Sequence, residues 1–266
     1  MKVLIFGDIY GRMGRKALER ELPKLKAQYK PDFIIANIEN CTSGRGPISE
    51  HAREIEKMGV DIMTSGDHIY DQKDKISDYL LQESTRLIRP ANFLPYPGNI
   101  GKGYVILEKG GYKLLVIQLI GEVFMSHKVE NPFLKLKSIL AEVPKDTYDA
   151  CVVDFHRETT AEIYGLGRYF DGDIALLYGT HTHIQTADTH IMEAGTGIIA
   201  DVGMNGPQDG VIGASPESVF PRFLSGVQRG KITQQLTGKT VISALYAELH
   251  IDTKLCTHIE AIRYSY

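Results

Sequence analysis

The sequence predicts a layered α/β fold, and two observations lead to this prediction. Short apolar runs alternate along the chain with longer segments whose apolar residues recur at helical spacing. The connections between them are short, and we find no repeat, low-complexity tract or linker in the 266 residues. Because this alternation is typical of helices packed on a sheet, and the length suits it, we expect one domain over residues 1–266.

The first third of the chain alternates strand and helix. Three apolar runs predict strands at residues 3–6, 33–38 and 60–63. Two amphipathic stretches predict helices at residues 14–28 and 48–58. The first of these helices contains Pro23, which we expect to kink or divide it, because proline removes an intrahelical hydrogen bond.

The remainder of the chain is richer in strands. Residues 104–107 and 113–120 flank a Lys-Gly-Gly turn at residues 109–111, which predicts a hairpin. Further apolar runs predict strands at residues 150–155, 174–178, 198–202 and 241–251. A stretch with helical spacing separates the first two of these runs.

The composition excludes several classes of protein. Lys and Arg total 30 and Asp and Glu total 33, so the net charge of −3 argues against general nucleic-acid binding. No apolar run approaches the ~20 residues of a transmembrane helix. The first strand reaches an acid at Asp8 without a signal-peptide cleavage site, and Cys41, Cys151 and Cys256 form no CxxC pair. We therefore expect a cytoplasmic protein with no membrane segment and no disulfide framework.

Acids, amides and histidines follow the ends of five predicted strands. They are Asp8, Glu39 with Asn40, Asp67 with His68, His156, and His181 with His183. Because the carboxyl ends of strands in an open α/β sheet form the ligand crevice, we expect these side chains to converge on one site. Carboxylate, amide and imidazole donors without a thiolate favour Mn, Fe or Zn over Ca.

Each of these residues also has a structural explanation. A strand-end aspartate often caps a helix, polar pairs close turns, and a lone histidine often packs in a core. The segment containing His181 and His183 is more specific, because two histidines two positions apart point to the same side of an extended chain, as in metal sites. A polar loop between strands is its alternative. Five such strand ends together favour a metal site.

A glycine-rich stretch follows the first acid–amide pair. It comprises Ser43-Gly44-Arg45-Gly46-Pro47. Its backbone N–H groups and the Arg45 guanidinium suit a phosphate group. A mobile loop is the alternative interpretation.

Several segments form a distinctive set in chain order. They are Gly7-Asp8-Ile9-Tyr10-Gly11-Arg12, Asn37-Ile38-Glu39-Asn40, Ser65-Gly66-Asp67-His68, Arg89-Pro90-Ala91-Asn92, Asp154-Phe155-His156, Gly179-Thr180-His181-Thr182-His183 with its Thr-Ala-Asp tail, and Asp201-Val202-Gly203-Met204-Asn205-Gly206-Pro207. Together they resemble the YmdB-like branch of the calcineurin-like metallophosphoesterases over nearly the whole chain. The resemblance implies a four-layer αββα sandwich with a two-metal centre between its sheets.

The resemblance also implies roles for individual residues. The implied metal ligands are Asp8, Glu39, Asn40, Asp67, His156, His181 and His183. Glu39 would bridge the two ions, and His68 matches the histidine that assists the leaving group. Tyr10 stands where the wider superfamily often has a metal-binding histidine, and we leave it out of the ligand set. The implied cofactors are two divalent or mixed-valence transition-metal ions, Fe or Mn first and Zn as the alternative.

The implied activity is hydrolysis of a small-molecule phosphodiester, above all a cyclic nucleotide, by a homo-oligomer. Two metals ~3.5–4 Å apart can clamp a phosphoryl group and lower the pKa of a bridging water, and the resulting hydroxide attacks phosphorus in line. Another dimetal hydrolase, such as an amidohydrolase, also uses a His-x-His pair. That pair usually lies on the first strand, whereas here it is late, which favours the phosphoesterase.

One position departs from the family pattern. The family has Gly-Asn-His where this chain has Gly66-Asp67-His68. An aspartate can still bind a metal, but it adds a negative charge to the centre. A regulatory or scaffolding protein that keeps the fold and the metals, with little turnover, is therefore the alternative function.

Overall fold

The computed structural model describes residues 1–95, 98–226 and 230–266. Its strands are β1 (Lys2–Phe6), β2 (Asp8–Ile9), β3 (Phe33–Asn37), β4 (Ile62–Thr64), β5 (Tyr104–Lys109), β6 (Tyr112–Ile120), β7 (Ala150–His156), β8 (Leu176–Thr180), β9 (His190–Ile191), β10 (Gly197–Ile199), β11 (Met204–Pro207), β12 (Thr240–Leu249) and β13 (Cys256–Ser265). Its helices are α1 (Gly11–Tyr29), α2 (Ser49–Lys57), α3 (Lys73–Leu80), α4 (Pro132–Glu142), α5 (Thr160–Tyr169) and α6 (Pro216–Ser225), with a 3₁₀ turn at Lys145–Thr147. Every predicted strand overlaps one of these strands.

Helix α1 continues through Pro23, so the expectation that this proline divides the helix is wrong. Pro23 lies on the exposed face, where water can satisfy the carbonyl that loses its intrahelical partner. Leu22 and Leu25 are buried on the other side and hold both halves of the helix against the sheet. Packing therefore outweighs the local cost of proline.

The first sheet contains seven strands within the described residues. Strand β1 lies between β3, which runs parallel to it, and β12, which runs antiparallel. Strand β4 continues the parallel side, while β13 pairs along β12 on its other edge. Because β1, β3 and β4 are parallel, their carboxyl ends lie at one edge of the sheet.

The second sheet has six strands in the described part of the chain, in the order β5-β6-β7-β8-β10-β9. Strands β6, β7, β8 and β10 are parallel, and β5 joins β6 through the predicted hairpin. The turn contains Gly110 and Gly111, whose φ angles of +62° and +84° suit a type I′ turn. The hairpin prediction is confirmed.

Alternate residues along the strands face different layers. In β1, Leu4 packs with α1 and α2, whereas Val3 faces the second sheet. In β7, Val153 packs with α4 and α5, whereas Val152 lies in the same central cluster as Val3. The order of layers is helix, sheet, sheet, helix, which confirms the αββα fold.

The two sheets meet at the edge where the parallel strands end. Asn37, the last residue of β3, donates from Nδ2 to Asp154 Oδ2 on β7 at 3.3 Å. Thr64, the last residue of β4, donates to the same carboxylate oxygen at 2.5 Å. Residues that follow these strands therefore emerge on both sides of one crevice. In the described part of the chain, no helix is long and apolar enough to cross a membrane.

Candidate metal centre

The carboxylates and the amide of the centre come from the first sheet. Asp8 is the first residue of β2, which one residue separates from β1. Glu39 and Asn40 follow β3, and Asp67 follows β4. All four residues are buried, and Asp67, the most exposed of them, has 8% of its surface exposed. Because a buried carboxylate is costly unless it is paired, these groups require positively charged or donating partners.

The three imidazoles come from the second sheet. His156 is the last residue of β7, and His181 and His183 follow β8. His181 has a φ of +104° and His183 a φ of +67°, in a region that residues other than glycine rarely adopt. The Asp201 carboxylate holds this loop by accepting hydrogen bonds from Thr182 N at 3.0 Å and Thr182 Oγ1 at 2.9 Å. Strained backbone of this kind is typical of functional sites.

Four of the predicted ligands form one compact donor group. They are Glu39, Asp67, His156 and His181, whose ligand atoms lie within 4.8 Å of one another. His156 Nε2 lies 3.1 Å from Asp67 Oδ1, 3.3 Å from Glu39 Oε2 and 3.1 Å from His181 Nδ1. The group is so close to the backbone that a Cβ at Gly66 would lie 2.2 Å from Glu39 Oε2, so only glycine fits there.

The remaining three predicted ligands lie beside Glu39 and form a second donor group with it. Asn40 Nδ2 lies 2.8 Å from Glu39 Oε1 and 3.1 Å from His183 Nε2. Asp8 Oδ1 lies 3.8 Å from His183 Nε2. The structure therefore brings all seven predicted ligands together, and Glu39 takes part in both groups.

The surroundings of Asp8 fit a bound cation. Asp8 Oδ1 is buried and has no hydrogen-bond partner among the described residues. Burial raises the pKa of Asp8 well above its usual value; the charge of His156 opposes this shift, and the charges of Glu39 and Asp201 add to it. A cation would give this carboxylate the partner that the protein itself does not supply.

Among the protein groups alone, His156 is the counter-charge of the centre. Burial lowers the pKa of His156, but the neighbouring Glu39 and Asp67 carboxylates outweigh burial and hold that pKa well above its usual value. The same pairing lowers the pKa of both carboxylates, although their burial acts in the opposite direction. Burial and the charge of His156 lower the pKa of His181 to about 4. The shifts of Glu39, Asp67 and His181 favour the deprotonated forms that metal binding needs, whereas the shift of His156 favours the protonated form.

A buried relay orients His156. Its Nδ1 atom lies 2.9 Å from Thr180 Oγ1, which donates to Asp154 Oδ1 at 2.8 Å. Burial raises the pKa of Asp154 to about 6, although hydrogen bonds from Thr64 and Thr180 lower it. This relay fixes the ring so that Nε2 faces the other ligands, as outer partners of ligating histidines commonly do.

The other two imidazoles also have partners on the ring nitrogen that faces away from their group. His181 Nε2 lies 3.1 Å from Glu158 Oε2, and His183 Nδ1 lies 2.8 Å from the carbonyl oxygen of Ile212. Tyr10 packs its ring edge-on against His183, with 5.6 Å between the ring centroids. Burial raises the pKa of the Tyr10 phenol to about 12, so the phenol stays protonated.

His68 lies at the open side of the centre. Its side chain is 26% exposed, and its backbone N–H donates to Glu39 Oε2 at 3.2 Å. Its Nδ1 atom lies 3.0 Å from Asp71 Oδ2 and 3.8 Å from Asp67 Oδ2. Because Nδ1 faces these carboxylates, Nε2 is the ring nitrogen available to a substrate.

The glycine-rich stretch lies next to His68. Arg45 forms an ion pair with Asp71, and Gln72 Nε2 donates to the Arg45 carbonyl oxygen at 3.0 Å. The Arg45 side chain is nevertheless 69% exposed. The structure thus attaches this loop to the residues that follow His68, and a contact between Arg45 and a phosphate stays a prediction.

Sequence reasoning missed the residues that orient the predicted ligands. A role for Asp154 and Asp71 could have been predicted from the sequence, because each lies two or three positions from a predicted site residue. Glu158 also lies two positions after His156. The contact of Ile212 with His183 could not have been predicted from the sequence, because it uses the backbone carbonyl oxygen, which any residue provides.

Comparison with known proteins assigns this arrangement to a family. A family model described as YmdB-like protein matches residues 4–262. The chain belongs to the YmdB-like family. One YmdB-like relative is a 2′,3′-cyclic-nucleotide 2′-phosphodiesterase of Bacillus subtilis (strain 168), which is 38% identical over 263 residues. This match covers 98% of the present chain and 96% of the relative.

Two solved structures match the YmdB-like chain over its full length. A novel phosphatase from Mycoplasma pneumoniae has a TM-score of 0.92 and 33% identity, covering 100% of this chain and 93% of that one. A hypothetical protein from Thermus thermophilus has a TM-score of 0.88 and 34% identity, covering 100% and 99%. A 5′-nucleotidase precursor from the same organism shares the fold alone, with a TM-score of 0.55, 12% identity and coverage of 99% and 54%.

Proposed function

We propose that this YmdB-like protein is a metal-dependent phosphodiesterase that hydrolyses 2′,3′-cyclic nucleotides. The observation that carries the proposal is the pair of donor groups that share Glu39, with the partly exposed His68 beside them. The Bacillus subtilis relative is named for this activity, and a phosphatase from Mycoplasma pneumoniae has the same fold. Geometry and family membership therefore support the same reaction.

Each donor group would hold one metal ion. The first ion would be held by Glu39, Asp67, His156 and His181, and the second by Asp8, Glu39, Asn40 and His183. Oxygen and imidazole donors favour Fe or Mn, with Zn as the alternative. When bound, the two ions supply Lewis-acid charge for the phosphoryl group and make a water molecule more acidic.

His68 would protonate the leaving group. When a 2′,3′-cyclic nucleotide is hydrolysed, the oxygen of a water molecule forms a new P–O bond and the P–O bond to one ribose oxygen breaks; the released oxygen stays on the ribose and takes up a proton. His68 Nε2 faces the open side of the centre and can donate this proton. Asp71 accepts the Nδ1–H and keeps the ring in that orientation, while Glu39 accepts the backbone N–H of His68.

Hydrolysis of 2′,3′-cyclic AMP, with and without added Mn²⁺, tests the proposal. We expect Mn²⁺-dependent conversion to a single nucleoside monophosphate, and slower hydrolysis of 3′,5′-cyclic AMP. A Glu39→Gln variant should lose turnover because it weakens both donor groups. If the chain binds two metal ions but hydrolyses neither cyclic nucleotide, the regulatory or scaffolding alternative replaces this proposal.

We also propose one domain over residues 1–266, a homo-oligomeric assembly and a cytoplasmic location. These three points stay predictions. Limited proteolysis should give no stable fragment, sedimentation should give a mass above that of one chain, and cell fractionation should place the protein in the cytoplasm.

A further inference from the structure

A tight turn at one side of the metal centre contains an unusual residue. Val211 N donates to the Ala214 carbonyl oxygen at 2.8 Å, and Ala214 N donates to the Val211 carbonyl oxygen at 3.0 Å. The two residues between them, Ile212 and Gly213, have φ angles of +45° and +101°. These are the hydrogen bonds and the signs of φ of a two-residue hairpin with a type I′ turn.

Isoleucine is poorly suited to the first central position of such a turn. Asn, Asp and Gly are the residues that a type I′ turn favours, because both central residues need a positive φ. A β-branched residue with positive φ is an outlier, because its Cβ substituents crowd the backbone. Residues that break a local rule in this way are found mainly at functional sites.

The turn is fixed against the metal centre. The Ile212 carbonyl oxygen lies 2.8 Å from His183 Nδ1, and Gln235 N donates to the Gly213 carbonyl oxygen at 2.9 Å. Gly213 lies so close to Tyr10 that a Cβ there would come within 2.6 Å of the Tyr10 ring. The backbone of Ile212 therefore touches a predicted ligand, yet 48% of the residue is exposed.

The carbonyl contact alone does not require isoleucine. Any residue at position 212 could offer its carbonyl oxygen to His183, and asparagine or glycine would do so with less strain. Polar side chains that are exposed or partly exposed around the centre include His68, Asp71, Glu158 and Arg45, while the apolar Ile184, directly after His183, is 57% exposed. Ile212 and Ile184 thus offer exposed apolar side chains close in the chain or by contact to His183, in addition to the charged groups of the centre.

We propose that Ile212 is a specificity-determining residue whose side chain packs against the nucleobase of the substrate. This inference rests on the proposed function, because it assumes that the phosphoryl group lies at the metal centre. The phosphoryl end of a nucleotide carries the charge, and the base offers the flat, largely apolar surface that an aliphatic side chain can cover. The strain at residue 212 is then retained because it presents this side chain beside His183.

The test compares Ile212→Asn and Ile212→Gly with wild type and with a matched control, Ile251→Asn. Ile251 is 43% exposed, and it follows β12 at the end that bonds to Met1, away from the centre. The measured quantity is kcat/KM for 2′,3′-cyclic AMP divided by kcat/KM for glycerol 1,2-cyclic phosphate, which has no base. We expect this ratio to fall about tenfold in both Ile212 variants and to stay constant in Ile251→Asn.

Two further measurements accompany the ratio. The midpoint of thermal unfolding should rise in Ile212→Asn, because asparagine suits the turn. Metal content should stay at the wild-type value, because the bond to His183 uses the backbone. A higher unfolding midpoint with an unchanged ratio would mean that the side chain meets no base, and a lower midpoint would refute the strain on which the inference rests.

A binding experiment separates this inference from the proposed activity. Calorimetry on the Mn²⁺-loaded protein compares adenosine 3′-monophosphate with glycerol phosphate. Wild type should bind the nucleotide about tenfold more tightly, and both Ile212 variants should lose that preference. If wild type hydrolyses no cyclic nucleotide but shows this preference, the proposed activity fails and the base contact stands. Equal binding of both ligands by wild type overturns the base contact, whatever the turnover.

Discussion

His68 Nδ1 lies 3.0 Å from Asp71 Oδ2, at the open side of the two donor groups. A carboxylate that accepts a hydrogen bond from one ring nitrogen fixes the orientation of the imidazole, so the other ring nitrogen, Nε2, is directed away from that carboxylate. The same carboxylate pairs with Arg45 from the glycine-rich loop. One aspartate thus links the proposed proton donor to the loop beside the centre.

Replacing His68 should affect substrates according to their leaving group. His68→Ala should lower turnover by about 10²–10⁴-fold for a poor leaving group such as a ribose hydroxyl. A nitrophenolate ester needs less protonation, so its loss should be smaller. Steady-state kinetics on both substrates, with elemental analysis to confirm that metal content is unchanged, checks this prediction. Equal losses for the two substrates would remove the role of His68 as a general acid.

Asp71→Asn should lower kcat more than it raises KM. The asparagine is isosteric, but its neutral amide oxygen accepts the Nδ1–H bond more weakly and holds the ring less firmly, so we expect kcat for 2′,3′-cyclic AMP to fall about tenfold, which corresponds to ~1.4 kcal/mol in the barrier. Arg45→Ala is the control, because it removes the other partner of Asp71 and leaves the contact with His68. Should both variants lose kcat equally, the loop rather than the orientation of the His68 ring is the cause.

The centre should bind two metal ions per chain. Seven potential ligands in two groups are more than one ion can use, so elemental analysis of protein purified without chelator should find close to two ions. His181→Ala and His183→Ala should each lower the occupancy, because no neighbouring imidazole replaces them. His258→Ala, an exposed histidine on β13, is the matched control. A wild-type content of one ion after loading with Mn²⁺ would contradict the two-group arrangement.

Asp67→Asn should increase activity. Asp67 adds a negative charge to a centre that already contains Asp8 and Glu39, so it should hold metals tightly and reduce their Lewis acidity. Removing that charge should raise kcat/KM about tenfold, or ~1.4 kcal/mol in the barrier, and shift the pH–rate profile to lower pH. A pH series on both proteins at saturating metal is the measurement. A variant that is no faster at any pH would show that this carboxylate does not inhibit.

Metal affinity should rise with pH. Although burial lowers the pKa of His156, its carboxylate neighbours raise that pKa well above the usual value, so the metal-free ring is protonated at neutral pH. A ligating imidazole is neutral, so binding releases this proton, and the apparent affinity should rise about tenfold per pH unit until the pKa of His156 is passed. Chelator competition at several pH values measures this, and a flat profile would contradict it.

The raised pKa of His156 also affects the stability of the metal-free protein. The pKa of His156 is higher in the folded chain than in the unfolded chain, so protonation stabilises the fold fully below the unfolded pKa of about 6.5. This stabilisation is lost as the pH rises through the folded pKa. The unfolding midpoint of chelator-treated protein should therefore fall over that range, and His156→Gln should reduce the dependence.

Much of the fold was predictable because its strands are apolar runs with clear ends. The donors were predictable for the same reason, since Asp8, Glu39 and Asp67 each follow such a run. Strand β13 was not predicted, because its outward-facing residues are polar and its apolar residues do not alternate with them regularly. Helix α4 was also missed, although Asn131 caps it and Pro132 begins it, which is a recognised start signal.

The finer organisation of the site depends on contacts between distant parts of the chain. The carbonyl of Ile212 reaches His183 only because a type I′ turn forms at a residue that disfavours it. The pairing of Asp201 with Thr182 likewise joins two loops that no local pattern connects. Sequence periodicity describes single elements, so it identifies which residues reach the crevice but not which neighbours orient them.

The two donor groups draw on both sheets, and this has a consequence for how the protein matures. Glu39 and Asp67 leave the ribosome well before His156 and His181, and the sheet that carries the two carboxylates is completed only by β11, β12 and β13 at the end of the chain. The full set of donors is held in place only after both sheets have formed and packed on each other. Metal capture should therefore be a late step in biogenesis, and a captured ion would fasten the two sheets together from the inside.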